Sequence, residues 1–64
     1  MAAVIAFGKD RMNVDSGITI EKAISSLGKY PDTFLYIFRG SPVPMTIVIE
    51  DGAEIEAIRI ASGG

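Results

Sequence analysis

The residues with the most evident chemical use in this sequence are the last three, Ser62, Gly63 and Gly64, because they end in an α-carboxylate. Glycine has no Cβ and adopts backbone conformations that other residues avoid, so a Gly-Gly end suits a narrow slot in another protein. A carboxylate becomes an acyl donor once it is converted to a mixed anhydride, which a thiolate, sulfide or amine can then attack. We therefore expect covalent chemistry at Gly64, with Gly63 and Ser62 recognised by the enzyme that performs it.

The alternative for these glycines is a frayed end or a cloning remnant, since chain ends are commonly small, polar and disordered. Against it, the glycines directly follow a strand-like segment, and no affinity tag or serine-glycine linker surrounds them. Both interpretations place a single domain at residues 1–60 and a flexible tail at residues 61–64.

The side chains of classical catalysis are missing from the sequence. His and Cys are both absent, which removes the usual general base, a persulfide carrier and the thiolate metal ligands. We expect a protein that is not itself an enzyme and that holds no metal and no cofactor. A carboxylate pair or Ca²⁺ site from Glu54 and Glu56 with Asp10 or Asp51 is conceivable, but the ligand spacing of a calcium loop is absent.

Length and charge exclude several further classes of protein. A chain of 64 residues makes one domain and buries only about 60% of the surface that its unfolded form exposes. Six basic and eight acidic residues give a net charge of −2, and the basic residues are scattered, so we expect no nucleic-acid partner. The apolar start is too short to span a membrane and lacks the features of a signal peptide, which predicts a cytoplasmic protein without a membrane partner.

The first half of the sequence predicts a hairpin followed by a helix. Strands are expected at Ala2–Phe7 and Arg11–Asp15, joined by a turn at residues 8–10. Thr19 is placed to cap a helix and Gly28 to end it. The helix is predicted from apolar residues at helical spacing, which are Ile20, Ala23, Ile24 and Leu27.

The second half predicts more strands. Residues 33–38 form the strongest strand signal and are apolar at every position after Thr33, which indicates that both faces are covered. Residues 39–44 are expected to be a turn and an irregular connection, because prolines exclude a central strand. A short strand is expected within Met45–Glu50, a turn at Asp51-Gly52 and a last strand at Glu54–Ala61. The predicted fold is α+β, with one helix packed across a sheet of four to five strands.

Three features at this spacing resemble a known family. They are the terminal Gly63-Gly64, the segment Tyr36–Gly40 followed by Pro42-Val43-Pro44, and Asp51-Gly52 before the last strand. The chain resembles the sulfur-carrier and small-modifier branch of the ubiquitin-like β-grasp proteins. That branch includes the thiamin-biosynthesis sulfur carrier ThiS, the small subunit of molybdopterin synthase MoaD, and the small archaeal modifier proteins. The resemblance implies a β-grasp (ubiquitin-like) fold, which is a mixed sheet of four to five strands with one helix packed across it and the last strand at its centre.

The resemblance also implies a function. An E1-like enzyme would use ATP to adenylate the carboxylate of Gly64. The product would become a thiocarboxylate, which gives sulfur to a synthase in thiamin or molybdopterin biosynthesis or in tRNA thiolation. Alternatively, it would form an isopeptide bond with a lysine of a target protein. A third possibility, from a different class, is a non-covalent binding module whose tail is idle.

Strand alternation predicts a partner surface. If Phe34, Tyr36, Phe38, Ile55 and Ala57 face the core, the outer face of the sheet carries four aliphatic residues, which are Leu35, Ile37, Ile58 and Ile60. An exposed apolar patch of this kind marks protein interfaces, and the resemblance places the partner surface on the same face. The alternatives are an incidental patch or one that is buried in a homodimer.

Overall fold

The computed structural model of the protein describes residues 2–60 and shows an α+β architecture. In that range one mixed sheet of five strands carries one α-helix. The strands are β1 (Ala2–Phe7), β2 (Asp10–Asp15), β3 (Phe34–Phe38), β4 (Ser41–Val43) and β5 (Glu54–Arg59). The helix α1 is Ile20–Ser26, and a 3-10 turn forms at Pro31–Thr33. The expected tail at residues 61–64 lies outside the described residues.

The strand order β2-β1-β5-β3-β4 places β5 at the centre of the sheet, as the sequence predicts. β5 runs parallel to β1 and antiparallel to β3. The β1–β2 hairpin closes through the two residues Gly8 and Lys9, because Phe7 pairs with Asp10. Gly8 has a φ of +64°, a backbone conformation that favours glycine.

Both ends of α1 form as the sequence predicts. The Thr19 hydroxyl accepts a hydrogen bond of 3.3 Å from the Lys22 N–H, which satisfies one of the amides that a helix leaves without an internal partner. Leu27 caps the other end, and Gly28 follows it with a φ of +80°. Within residues 2–60, no helix has the length and apolar character needed to cross a membrane.

The core lies between α1 and one face of the sheet. The strands contribute alternate residues to it, as expected from the pleat. The buried apolar residues are Ala3, Ile5, Val14, Ile20, Ala23, Ile24, Tyr36, Ile49, Ala53, Ile55 and Ala57. Phe34 and Phe38 are half-buried and pack against this cluster. The strand alternation predicted from the sequence is therefore confirmed for β3 and β5.

The prediction for residues 39–44 is wrong at Ser41–Val43, which form β4 and pair antiparallel with β3. Pro42 cannot donate a backbone hydrogen bond, and a proline is tolerated in a strand at the edge of a sheet. β4 occupies the last position in the strand order. The sequence correctly excludes a central strand here, but it does not exclude a three-residue edge strand.

The short strand expected within Met45–Glu50 is also wrong, because this segment makes only an isolated bridge, between Val48 and Thr19. Its backbone instead serves the start of α1. The Ile20 N–H donates to the Ile47 carbonyl at 3.1 Å, and the Glu21 N–H donates to the Met45 carbonyl at 2.9 Å. The segment thus provides acceptors for two amides of the first helical turn.

Candidate functional site

β5 holds the chain to the centre of the sheet up to the point where residues 61–64 begin. Its pairing with β3 continues to Arg59, opposite Phe34. One residue further, the Ile60 N–H donates to the Thr33 carbonyl at 2.9 Å. The backbone is therefore fixed on its β3 side until Ile60, four residues before Gly64. Ser62, Gly63 and Gly64, the predicted recognition and modification residues, lie outside the described residues.

The structure brings two of the predicted interface residues into direct opposition. Leu35 pairs with Ile58 in the β3–β5 register, and opposed residues project from the same face of a sheet. Their exposed fractions are 43% and 44%, and Ile60 is 48% exposed. Ile37 is half-buried. Residues 2–60 therefore leave this face of β3 open, although its apolar sequence predicts that both faces are covered.

This outer patch, defined by Leu35, Ile37, Ile58 and Ile60, has a polar neighbour toward the centre of the sheet. Glu56 pairs with Ile37 and is exposed. On the other side of Ile37 lies Pro42 of β4. The patch is thus an apolar surface bordered by a carboxylate, which is the usual composition of an interface core and its rim.

An ion pair lies on the same face near β2. Arg11 Nη1 and Glu54 Oε2 are 2.9 Å apart, and they reach each other across β1, whose outward residues there are Val4 and Ala6. The hydrogen bond from Arg11, supported by the charge of its guanidinium, lowers the pKa of Glu54. The same hydrogen bond and charge attraction raise the pKa of Arg11. Glu54 is therefore held as a carboxylate by its partner.

Asp51, another acidic residue considered for a carboxylate pair, makes hydrogen bonds that support the fold. Asp51 Oδ1 accepts from the Ala2 N–H at 3.2 Å and, at a longer 3.5 Å, from the Ser16 hydroxyl. Asp51 thereby fastens the start of β1 to the turn before β5. Among the described residues, acidic side chains do not gather in groups of three or more that could hold a metal ion.

A second surface, which the sequence interpretation missed, is a groove beside the end of β5 on the helix side. Its volume is about 600 Å³. We call it the β5 groove and define it by Phe7, Gly8, Lys29, Phe34, Ala57 and Arg59. Glu56 and Ile58 also contribute to its lining. These residues come from four separate parts of the sequence, so only the strand pairing could have revealed that they meet.

Comparison with known proteins finds no family model that matches the chain and no curated protein that matches it. The family resemblance therefore depends on the sequence features alone. It remains a prediction that experiment has to test.

Proposed function

We propose that this chain is a sulfur carrier of the β-grasp type, which an E1-like enzyme activates at the carboxylate of Gly64. The observation that carries the proposal is the position of β5. This strand lies between β1 and β3, and backbone hydrogen bonds to the β3 side continue to Ile60. Residues 61–64 therefore follow directly after the central strand of the sheet. The exposed side chains of Leu35, Ile58 and Ile60 lie beside that point.

The topology supports the β-grasp part of the proposal. A hairpin is followed by a helix that crosses the sheet, then by β3 and β4, and the last strand is inserted between the first and third. β5 also runs parallel to β1. A fold built in this way can present the residues after its last strand at the margin of the sheet without disturbing the core.

The chemistry requires two steps at Gly64. A carboxylate oxygen attacks the α-phosphorus of ATP, which forms an acyl-adenylate and releases pyrophosphate. Hydrosulfide then attacks the acyl carbon, so a C–S bond forms, the C–O bond to AMP breaks, and AMP leaves with its electron pair. Sulfur keeps its oxidation state, and one carboxylate oxygen departs with AMP. The partner enzyme binds ATP and supplies the catalytic groups, and this chain supplies the acyl group.

The outer patch is the proposed docking surface for the activating enzyme. Its aliphatic side chains project from the face of two paired strands, so binding requires little ordering of the backbone. The patch lies next to the hydrogen bond from Ile60 to Thr33, which holds the last described residue against β3. An enzyme that covers the patch would therefore have residues 61–64 within reach of its nucleotide site.

Intact-protein mass spectrometry tests the proposal. The chain, purified from its native host without a C-terminal tag, should include a species in which one oxygen has been replaced by sulfur. The matched control carries one alanine added after Gly64, which keeps both glycines but displaces the carboxylate, and it should show only the unmodified mass. If wild type also shows only the unmodified mass, and the host's adenylating enzyme with ATP and sulfide yields no thiocarboxylate, the proposed carrier function is wrong.

The same experiment separates two other functions. Attack on the adenylate by a lysine amine would give lysine-linked conjugates, which identifies a protein modifier. The exposure of Leu35 and Ile58 independently favours a non-covalent docking module. In that case the variant with the added alanine would capture the partner as well as wild type does, because the tail would have no part in binding.

A further inference from the structure

The β5 groove contains an open edge of the central strand. The pairing of β5 with β1 ends at Glu56, opposite Ala6, whereas its pairing with β3 continues to Arg59. β1 turns away after Phe7. Along the β1 side of Ile58 and Arg59, the described residues therefore provide no neighbouring strand.

The backbone groups of Arg59 point toward this opening. The Ile60 N–H points toward β3, since it donates to the Thr33 carbonyl, and successive residues of a strand direct their N–H and C=O groups to opposite sides. The N–H and C=O of Arg59 thus face the groove. Neither makes a backbone hydrogen bond within residues 2–60. Such an edge can accept an added strand.

Aromatic rings form the helix-side floor of the groove. The centroids of Phe7 and Phe34 are 5.3 Å apart in an edge-to-face arrangement. Lys29 Nζ lies 5.2 Å from the centroid of Phe7, which keeps this ammonium group at the groove. Arg59 projects from the same face of the sheet as Phe34, its partner in the register. The helix side of the groove thus combines an apolar floor with two cations.

The charge of the groove differs from that of the whole chain. The net charge of the protein is −2, yet Lys29 and Arg59 both line the groove. Within residues 2–60, neither cation lies within 4.0 Å of a carboxylate oxygen. The ion pair found there joins two other residues, Arg11 and Glu54. Glu56 also lines the groove, but strand alternation directs its side chain to the outer face. An anionic ligand is therefore favoured on the helix side and an apolar one on the outer side.

From this arrangement we propose that the β5 groove binds an extended acidic segment of a partner protein, which adds to the edge of β5. Acidic side chains of that segment face the helix side, where their stems cross Phe34 and their carboxylates meet Lys29 and Arg59. The intervening side chains are aliphatic and lie beside Ile58. The Arg59 N–H and C=O make the main-chain hydrogen bonds to the segment. This interaction needs no chemistry at Gly64 and is separate from docking on Leu35.

Titration followed by NMR tests this binding mode. The probe is a short capped peptide of alternating valine and glutamate, which presents one acidic and one aliphatic side when extended. It is added to the 64-residue chain at neutral pH without ATP or an activating enzyme. The largest amide shifts are expected at Gly8, Lys29 and Arg59, with slowed hydrogen exchange at the Arg59 amide. Binding should weaken with added salt.

Charge reversal provides the decisive comparison. Lys29→Glu and Arg59→Glu should each lower the affinity for the peptide by about two- to fivefold, as expected for exposed ion pairs. The double variant should prefer a matched peptide of alternating valine and lysine. Lys22→Glu makes the same charge change on the exposed side of α1 and should leave binding unchanged. Lys29→Gln and Arg59→Gln, which only remove charge, replace the reversals if these disturb the amide spectrum.

Several results would overturn the proposal. One is the absence of shifts at the groove, and another is a set of shifts confined to Leu35 and Ile37, which belong to the outer patch but do not line the groove. Shifts that depend on the concentration of the protein alone would show that a second copy of the chain occupies the edge. Nuclear Overhauser contacts from Gly63 or Gly64 to Phe34 in the free protein would assign the groove to the chain's own end. Because ATP is absent throughout, each result is independent of whether Gly64 is activated.

Discussion

Leu35 and Ile58 oppose each other on the open face of the sheet, and the next pair of the same two strands, Tyr36 and Ala57, is buried in the core. Adjacent register positions of one strand pair therefore have different environments. A polar substitution at the first pair affects the surface, whereas one at the second affects the core. This separation allows docking to be tested without loss of the fold.

Ile58→Glu should weaken recognition by the activating enzyme while the domain stays folded. The substitution places a carboxylate in an apolar contact, and burying an uncompensated polar group costs about 1–3 kcal/mol, so we expect KM for the chain in the adenylation reaction to rise roughly tenfold or more. The measurement is ATP–pyrophosphate exchange with increasing concentrations of the chain. Val48→Glu, at another exposed aliphatic residue, is the matched control and should leave KM unchanged. Equal KM values for the two variants would remove the outer patch from the proposed docking surface.

Ionisation of the Tyr36 hydroxyl should make the protein less stable as the pH rises through the alkaline range. Its hydroxyl donates to the Pro31 carbonyl at 2.8 Å, and burial, with a smaller effect of the Asp32 charge, raises its pKa to about 12. The folded state thus holds the proton more tightly than the unfolded state, where the pKa is about 10. The associated stability is complete below pH 10 and is lost as the pH rises toward 12, by up to about 3 kcal/mol.

Denaturant unfolding across this pH range, compared between wild type and Tyr36→Phe, measures the effect. Because the variant lacks this hydrogen bond, its free energy of unfolding at neutral pH should be about 1 kcal/mol lower than that of wild type. It should also lack the tyrosine-dependent decrease above pH 10. Tyr30→Phe, which changes a ring that is 78% exposed, should keep the decrease. If Tyr36→Phe and wild type lose stability in parallel above pH 10, Tyr36 is not the group responsible.

The sequence predicts the hairpin, the helix with its caps, the central last strand and the inward and outward sets of β3 and β5. Most of these features depend on local signals, such as Gly28 after a helical stripe and the two-residue period of a strand. The central position of the last strand is different, because it follows from the family resemblance and not from any local signal. The outer patch follows from the same period, so its residues could be named in advance. Its function could not, because exposure alone does not identify a partner.

The segment Met45–Glu50 shows why the fourth strand was misplaced. Met45, Ile47 and Ile49 alternate with exposed Thr46 and Val48, a period that is typical of a strand. The alternation has another cause here, since the inward residues pack on the core while the backbone bonds to residues 17–21, which lead into α1 and form its first turn. The pattern reports burial on one side. It does not identify the hydrogen-bond partner, which tertiary structure decides. The β5 groove was missed for the same reason.

The ion pair between Arg11 and Glu54 should stabilise the protein slightly at neutral pH, and this contribution should be lost in acid. Because Arg11 lowers the pKa of Glu54, the contribution is present above the ordinary pKa of glutamate and is lost as the pH falls through the lowered value. NMR titration of the side-chain carboxyl groups should show that the pKa of Glu54 lies below the usual range for glutamate. Arg11→Gln should return it toward that range, and added salt should do so in part. Lys9→Gln is the control for a general loss of positive charge, and an equal effect from it would contradict a specific pair.

Arg39→Asn should stabilise the β3–β4 hairpin. Phe38 pairs with Ser41, so Arg39 and Gly40 form a two-residue loop, and their φ values are +55° and +78°. Positive φ at both positions is typical of a type I′ turn, which prefers Asn-Gly. A left-handed conformation costs a residue such as arginine about 1–2 kcal/mol, whereas the contact of its guanidinium with the Phe38 ring, at 5.1 Å, returns about 0.5–1 kcal/mol.

We therefore expect Arg39→Asn to raise the free energy of unfolding by about 0.5 kcal/mol, because relief of the backbone exceeds the lost cation–π contact. Thermal and denaturant unfolding measure this difference. Gly40→Ala is the opposite test: a Cβ at this position meets open space, so its expected loss of about 1 kcal/mol comes from the backbone conformation alone. If Arg39→Asn destabilises the protein while Gly40→Ala behaves as expected, the contact with Phe38 outweighs the strain, and arginine is the better residue for this turn.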